Sequence, residues 1–283
     1  MPMPLRNSCC GPVPTSRNPG RALPVGRGHP DVQLALALQS PAARRAAGLC
    51  LLEGPHLVGE ALDAGLVPVA AFVTASLAAS DAAVLGRLRL ALAAAGCGER
   101  LHVVGGRLSD ALARTRTPQG CAAVFQLAAV AARPVPVAVA LDGVQDPGNV
   151  GAIARCLLAF GGAGSLLLTG PGTADPLGDK ALRASAGAVF RLAHLAVTDL
   201  TAALDPERAW WALQPRGGIV LSAGLLQAPV GLVVGSEGAG VSPGVAARCR
   251  RLTLAMSGPV ESLNAAVAVG IALHAVAPFP PRS

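Results

Sequence analysis

The first polar residues that could do chemistry follow a Val-rich run at residues 135–141. Asn149 comes after a Pro-Gly turn and before a helical pattern, so it could cap that helix or face a ligand. Arg155 lies in the second turn of the same helix, off its apolar stripe. It is either a solvated surface charge or a cation that points into a cleft. Ligands of open α/β sheets gather at the carboxyl ends of strands, where both residues are predicted to lie.

Two further glycine-containing loops follow predicted strands in the same way. Glu237 lies in the loop GSEGAG, whose glycines allow a close approach to a ligand, and it could pair with an arginine or face water. Ser262 and Asn264 lie between a strand and the last helix and could be alternative helix caps. The loop order G-x-x-G-x-G differs from a dinucleotide-binding fingerprint, and the chain has no GK[ST] triplet. The three loops together predict one site at the strand ends.

The positive charge of the chain comes almost wholly from arginine. The formal net charge is +7, and Lys180 is the only lysine. Arginine grips phosphate through planar, bidentate hydrogen bonds, which favours a polyanionic partner, although a GC-rich genome would also exchange lysine for arginine. Lys180 and Arg183 lie in a stretch that is either a solvated helix face or the phosphate-facing edge of a cleft. With five Phe, two Trp and no Tyr, the composition disfavours a single-strand binder built on stacked rings.

Composition also disfavours several classes of protein. The chain is 52% hydrophobic, but its longest uncharged stretches are broken by Gly and Pro or carry polar residues, so we expect no membrane span. Seven cysteines without a C-x-x-C pair argue against a disulfide framework and against zinc, and we expect no metal. No secretory signal is recognisable. We expect a cytoplasmic protein, with an organellar location as the alternative because the basic start carries no acid before Asp31.

The pattern of strands and helices predicts an α/β protein in three parts. Residues 1–30, rich in Pro, Gly and Arg, form a basic flexible arm. Residues 31–132 alternate short apolar runs with helical patterns and form a first α/β domain. After a Pro-containing linker, residues 133–283 form a second domain with a mostly parallel sheet and helices on both faces, closed by an apolar helix from about residue 261 to 276.

Three segments of the second domain resemble, in order, the motifs of the SpoU/TrmH branch of the SPOUT methyltransferases. They are DPGNVGAIARCLLAFG, VVGSEGAGVS and LTLAMSGPVESLNAAVAVGIAL, and the resemblance covers residues 137–277. The stretches RRAAGLCLLEGPHLVGEAL and RTPQGCAAV are more weakly similar to the small substrate-binding domain of these enzymes, which resembles RNA-binding ribosomal proteins. Two positions depart from the family pattern: Ala255 stands where proline is usual, and Cys156 where a hydroxyl residue is commoner. Ala255 could loosen the cofactor loop, but neither change removes a polar group of the site.

The resemblance implies a trefoil-knotted methyltransferase domain that binds S-adenosyl-L-methionine and works as a homodimer. A knot is an exception to the usual unknotted connections and is expected only through the resemblance. Cofactor contacts would fall on the backbone at Gly235, Leu254 and Leu263, with the segment around Met256 lining the pocket.

The resemblance also assigns the remaining roles. Arg155 would act on a ribose 2′-hydroxyl of RNA. Its partners in orienting that group or the RNA would be Asn149, Glu237, Ser262 and Asn264. Candidate RNA contacts are Arg44, Arg45, Lys180 and Arg183. Because the extra N-terminal domain suits enzymes that grip folded ribosomal RNA, we expect that substrate. The alternatives are a tRNA ribose 2′-O-methyltransferase and a non-catalytic RNA-binding protein, whereas an oxidoreductase would need the missing glycine fingerprint.

Overall fold

A computed structural model describes residues 25–113, 115, 117–127 and 135–276. Most of the predicted basic arm (residues 1–24), the start of the predicted linker (residues 128–134) and the last residues (277–283) lie outside these ranges. The described chain contains two separate sheets, one on each side of residues 128–134.

The first sheet has four strands in the order β1-β4-β2-β3. The strands are β1 (Leu49–Glu53), β2 (Pro68–Thr74), β3 (Leu101–Val104) and β4 (Cys121–Gln126). Strand β4 is antiparallel to β1 and β2, while β2 and β3 are parallel. The helices of this part are α1 (Pro30–Ala37), α2 (Pro41–Ala47), α3 (Pro55–Asp63), α4 (Ala75–Ser80), α5 (Ala82–Ala94) and α6 (Gly106–Leu112). The predicted alternation of strands and helices is therefore confirmed here, with a mixed sheet.

The second sheet has seven strands, all parallel, in the order β7-β6-β5-β10-β8-β11-β9. The strands are β5 (Val137–Asp142), β6 (Leu166–Thr169), β7 (Ala193–Ala196), β8 (Ala209–Leu213), β9 (Ile219–Val220), β10 (Val230–Gly235) and β11 (Arg250–Thr253). The helices are α7 (Pro147–Gly161), α8 (Asp179–Ser185), α9 (Leu200–Ala203), α10 (Pro243–Ala246) and α11 (Ala265–His274). The predicted parallel sheet is confirmed, although β8 was not among the predicted strands.

The central strands of the second sheet are buried on both faces, as their continuous apolar runs require. On one face, Ile153 and Leu157 of α7 and Val269 of α11 pack over the sheet and are fully buried. On the other face, Trp210 packs against β10 at Gly231, where an added Cβ would lie 2.2 Å from the indole ring. Because no other residue fits beneath this ring, Gly231 fixes how β8 and β10 pack.

Two ion pairs join helices of the part that contains the first sheet to segments of the part that contains the second sheet. The Arg44 guanidinium on α2 pairs with the Asp175 carboxylate and also donates to the carbonyl oxygens of Leu38 (2.9 Å) and Gln39 (3.1 Å). Arg191 Nη1 lies 3.1 Å from Glu60 Oε2 on α3. These contacts tie α2 and α3 to the segments that follow β6 and α8.

None of the described helices is long and apolar enough to cross a membrane.

Candidate functional site

The first loop of the site joins β5 to α7. The Asp146 carboxylate caps α7 by accepting a hydrogen bond from the Gly148 N–H at 2.5 Å, and the first helical residue is Pro147. Asn149 therefore lies inside the first turn, and the predicted capping role for Asn149 is wrong because the helix begins earlier. Lys180 Nζ lies 2.9 Å from Asp146 Oδ1, and this hydrogen bond lowers the pKa of Asp146.

The second loop follows β10 and folds back on itself. The backbones of Ser236 and Gly240 exchange two hydrogen bonds, at 3.2 and 2.9 Å. This brings Gly240 so close to Gly235 that a Cβ on Gly235 would lie 2.0 Å from the Gly240 carbonyl. Only glycine fits at position 235, and Glu237 is an exposed residue of this tight loop. The loop is also anchored to β5, because Asp142 Oδ2 accepts a hydrogen bond from Ser242 N at 2.7 Å.

The third loop ends at the start of α11. Asn264 Oδ1 accepts hydrogen bonds from the N–H groups of Ala266 (2.9 Å) and Val267 (3.3 Å), so Asn264 caps this helix. Of the two alternative caps expected from the sequence, the structure selects Asn264. Ser262 lies in the exposed segment before it, and the helix begins at Ala265 rather than near residue 261.

The three loops meet through one chain of hydrogen bonds, which we call the amide–carboxylate network: Asn149, Glu237 and Asn264. Asn149 Nδ2 donates to Glu237 Oε1 at 2.7 Å, and Asn264 Nδ2 donates to Asn149 Oδ1 at 2.9 Å. Each side chain comes from a different strand-end loop. The expected gathering of these polar residues at the carboxyl ends of the strands is therefore confirmed for Asn149, Glu237 and Asn264.

The network borders a cleft of about 530 Å³. Its walls contain all four predicted cofactor residues, Gly235, Leu254, Met256 and Leu263. They also contain Glu237, Ser262 and Asn264, together with three residues that the sequence analysis missed, Leu213, Gln214 and Pro215. The lining is mostly apolar, and Glu237 is its only acidic side chain. Both the volume and the few convergent polar groups are typical of small-molecule sites.

The three missed residues follow β8, the strand that the sequence analysis did not identify. Its five residues, AWWAL, include two tryptophans, which are common in strands. This short aromatic run could have indicated β8. The residues that follow it would then have been predicted as a fourth strand-end segment of the cleft.

Arg155 does not line the cleft of its own chain. It lies on the exposed face of α7, six residues after Asn149, which corresponds to about 9 Å along the helix axis. The structure brings no described acidic side chain into an ion pair with it. Arg155 is thus a free cation near the network but outside it.

The four predicted RNA contacts fall into two groups. Arg45, Lys180 and Arg183 are exposed, in agreement with a role at the surface. Arg44 is only 2% exposed, and its guanidinium is occupied by Asp175 and two backbone carbonyls. The prediction that Arg44 contacts RNA is therefore wrong, because a buried guanidinium that is paired with Asp175 cannot reach a phosphate.

Solved structures resemble the chain over most of its length. A protein of the TrmH family from Porphyromonas gingivalis is 29% identical, with a TM-score of 0.70 over 86% of this chain and 94% of that one. An AdoMet-bound rRNA methyltransferase from Sinorhizobium meliloti is 25% identical, with a TM-score of 0.65 over 86% and 92% of the two chains.

The sequence comparisons agree with this likeness. An uncharacterized tRNA/rRNA methyltransferase of Mycobacterium ulcerans is 39% identical over 160 residues, which is 53% of this chain and 50% of the relative. The chain spans about half the length of the curated relatives it matches. Residues 29–123 match the MRM3-like substrate binding domain, and residues 136–274 match the SpoU rRNA Methylase family. That second match contains all three loops of the cleft, so the site lies in a SpoU rRNA methylase domain of the chain.

Proposed function

We propose that the protein transfers a methyl group from S-adenosyl-L-methionine to a ribose 2′-hydroxyl of RNA, with ribosomal RNA as the substrate. The observation that carries this proposal is the amide–carboxylate network at the mouth of an apolar cleft. The family match and the substrate-binding domain support an RNA substrate, and the AdoMet-bound relative from S. meliloti supports the cofactor.

The cleft suits a ligand with a flat apolar ring and a polar, positively charged end. Leu213, Leu254 and Leu263 offer apolar surface for a ring, and Gly235 is also part of the lining. S-adenosyl-L-methionine supplies a methyl group activated by a positively charged sulfur. Glu237, as the one acid of the cleft, favours a cationic ligand electrostatically.

The reaction forms a bond between the methyl carbon and the 2′-oxygen, breaks the carbon–sulfur bond and releases the hydroxyl proton. The chain must therefore hold the hydroxyl in line with the methyl group, and such alignment can lower a barrier by about 7 to 11 kcal/mol. Asn149 and Asn264 are fixed by their mutual hydrogen bond and by the cap of α11, so they offer rigid polar groups for this positioning.

Arg155 is proposed to hold the RNA rather than to remove the proton. A guanidinium stays protonated in proteins and is a poor proton acceptor, but it stabilises a neighbouring phosphate and a developing alkoxide. Arg155 lies six residues after Asn149 on α7, and side chains on a helix lean toward its N-terminus, where Asn149 lies.

A homodimer is proposed because the same region exposes apolar surface. Phe160 of α7 and Val267 and Ile271 of α11 are 37%, 51% and 45% exposed. The Phe160 ring lies edge-on to His274, with ring centroids 5.5 Å apart, so α7 and α11 present one continuous face. A second copy of the chain that covered this face would also lie close to Arg155, which is on α7 as well. The trefoil knot and a cytoplasmic location are proposed on the family resemblance.

The test uses the purified chain, S-adenosyl-L-methionine with a labelled methyl group, and ribosomal RNA or tRNA in separate reactions. A ribose 2′-O-methyl group blocks alkaline cleavage of the next linkage, so we expect labelled dinucleotides after alkaline hydrolysis of ribosomal RNA. Labelled mononucleotides would show base methylation instead, and label in tRNA alone would overturn the choice of RNA.

Arg155→Ala tests the assigned role of the arginine. We expect it to stop transfer while cofactor binding, measured by calorimetry, stays at the wild-type level. Arg89→Ala, which removes an exposed arginine of α5, is the matched control and should transfer normally. Unchanged transfer by Arg155→Ala would contradict the role.

A further inference from the structure

Another pocket lies at the opposite end of the same strands that form the cleft. It has a volume of about 370 Å³ and is lined by three arginines, Trp210, Cys249 and two alanines. It opens where β8 and β11 begin, whereas the cleft lies where these strands end. At about 3.3 Å per residue, the length of β8 separates the two by roughly 15 Å. We call this site the arginine pocket.

Arg208 forms the rigid wall of the arginine pocket. Its guanidinium donates hydrogen bonds to the carbonyl oxygens of Val135, Pro136 and Val230, and its Cζ lies 5.9 Å from the centroid of the Trp210 ring. Burial lowers the pKa of Arg208, and the charge of Asp205 offsets this only in part. Arg208 is thus a partly buried cation whose main contacts are neutral.

Arg248 and Arg250 are exposed and form the open side of the pocket. Arg250 Cζ lies 5.5 Å from the centroid of the Trp211 ring, on the face of β8 opposite Trp210, so Arg250 borders the pocket where β11 begins. Arg248 donates one hydrogen bond, to the Leu204 carbonyl at 3.3 Å. Within the described chain neither forms an ion pair with a carboxylate.

Nothing in the lining of the pocket balances this positive charge. No lining residue is acidic, and the sequence has no Asp or Glu between Glu237 and Glu261. Burial raises the pKa of the Cys249 thiol to about 11, so the thiol stays neutral and does not repel an anion. Three arginines that line one pocket, with no carboxylate among the lining residues, fit a multiply hydrogen-bonded oxyanion.

We propose that the arginine pocket binds a backbone phosphate of the RNA substrate, at the end of the sheet opposite the methyl-transfer cleft. This inference rests on the proposed function for its ligand, because a polyanion is needed to span both ends of the sheet. A duplex strand carries a phosphate about every 3.4 Å along its axis, so the separation corresponds to roughly four phosphates. RNA held in this way lies along the side of the sheet that contains β11 and β9.

The test measures binding of a fluorescein-labelled stem-loop of ribosomal RNA by anisotropy over a range of KCl concentrations. For Arg248→Gln/Arg250→Gln we expect weaker binding and a slope of log K against log salt that falls by about 1 to 2, since each lost phosphate contact releases fewer counter-ions. Arg248→Lys/Arg250→Lys should recover most of the slope, because lysine also binds phosphate as a point charge. Cofactor affinity should not change in either variant.

Arg89→Gln is the matched control, because it removes an exposed arginine that does not line this pocket. A double variant with the wild-type slope, or with no greater loss than the control, would overturn the proposal. So would a changed oligomeric state in sedimentation with unchanged RNA binding, since the pocket would then hold a second copy of the chain. A wild-type protein that binds RNA but transfers no methyl group would contradict the proposed methyl transfer, but it would not contradict phosphate binding in the arginine pocket.

Discussion

Two hydrogen-bonded networks in this molecule are each centred on one carboxylate, and they differ in how completely that carboxylate is used. Asp31 of α1 is 5% exposed, and both its oxygens accept hydrogen bonds from Arg100. His102 Nε2 lies 2.7 Å from Asp31 Oδ2. Glu237 of the cleft is exposed, and Asn149 donates to one of its oxygens.

The difference follows from the cost of burying charge. A buried carboxylate must be paired and hydrogen-bonded at every oxygen, or it destabilises the fold by several kcal/mol. Asp31 meets this condition within the chain, so its network holds α1 against β3. Glu237 can be hydrated, so it needs no such saturation and keeps bonding capacity for a ligand. The Asp31 network is therefore expected to govern the stability of the fold, and the Glu237 network is expected to govern methyl transfer.

Asp31→Asn should show the largest effect on stability. The substitution leaves Arg100 and His102 around a neutral amide, and breaking a buried ion pair costs about 3 to 5 kcal/mol. Denaturant unfolding should show a decrease of this size in the free energy of unfolding, with transfer per folded molecule unchanged.

Asp63→Asn is the control for this effect. Its carboxylate lies 2.6 Å from Arg87 Nη2, but both side chains are about half exposed, at 55% and 42%. Exposed pairs contribute less than about 1 kcal/mol. Equal losses in the two variants would show that the burial of Asp31 is not what makes its network matter.

Glu237→Gln should separate the second network from stability. The amide has nearly the shape of the carboxylate, and its carbonyl can still accept the hydrogen bond from Asn149, so unfolding should change by less than about 0.5 kcal/mol. Methyl transfer should fall about 100-fold, as when one preorganised polar group of an active site is removed. A variant with wild-type transfer would remove Glu237 from the proposed mechanism.

How much of these two networks can be predicted from the sequence depends on how far apart in the sequence the interacting residues lie. The Val-rich strands, the glycine loops and the polar residues that follow them are local patterns, and they predicted the parallel sheet and the cleft residues of three loops, but not those that follow β8. The amide–carboxylate network joins residues 88 and 115 positions apart, and no local pattern specifies such pairs.

Arg44 was misread for the same reason. Its partner Asp175 lies 131 residues away, so its sequence neighbourhood, with Arg45 beside it, indicated only a basic helix. The start of α7 was misplaced on a smaller scale: Asp146 and Asn149 are both good capping residues, and only the backbone geometry distinguishes them.

Acid should weaken the Asp31 network selectively. Burial alone raises the pKa of Asp31, but the hydrogen bonds from His102 and Arg100 and the charge of Arg100 outweigh it and hold this pKa below its usual range. A carboxyl whose pKa is depressed in the folded state contributes stability that is complete above its unfolded pKa, near 3.9, and is lost as the pH falls below that value. Between pH 5 and strongly acidic conditions (roughly pH 2), wild-type stability should therefore fall more steeply than that of Asp31→Asn. Parallel curves would show that Asp31 does not control the acid response.

The smallest effect is expected at Asn264, where stability and chemistry meet in one side chain. Its Oδ1 caps α11 and its Nδ2 donates to Asn149. Asn264→Ala removes both functions and should lower the free energy of unfolding by about 1 kcal/mol. Asn264→Asp keeps an equally good capping oxygen but has no amide hydrogen for Asn149, so stability should stay near the wild-type value while transfer falls. If both variants lose stability equally and transfer falls only in proportion to unfolded protein, Asn264 serves the helix alone, and the cleft network would lose its link to the third loop.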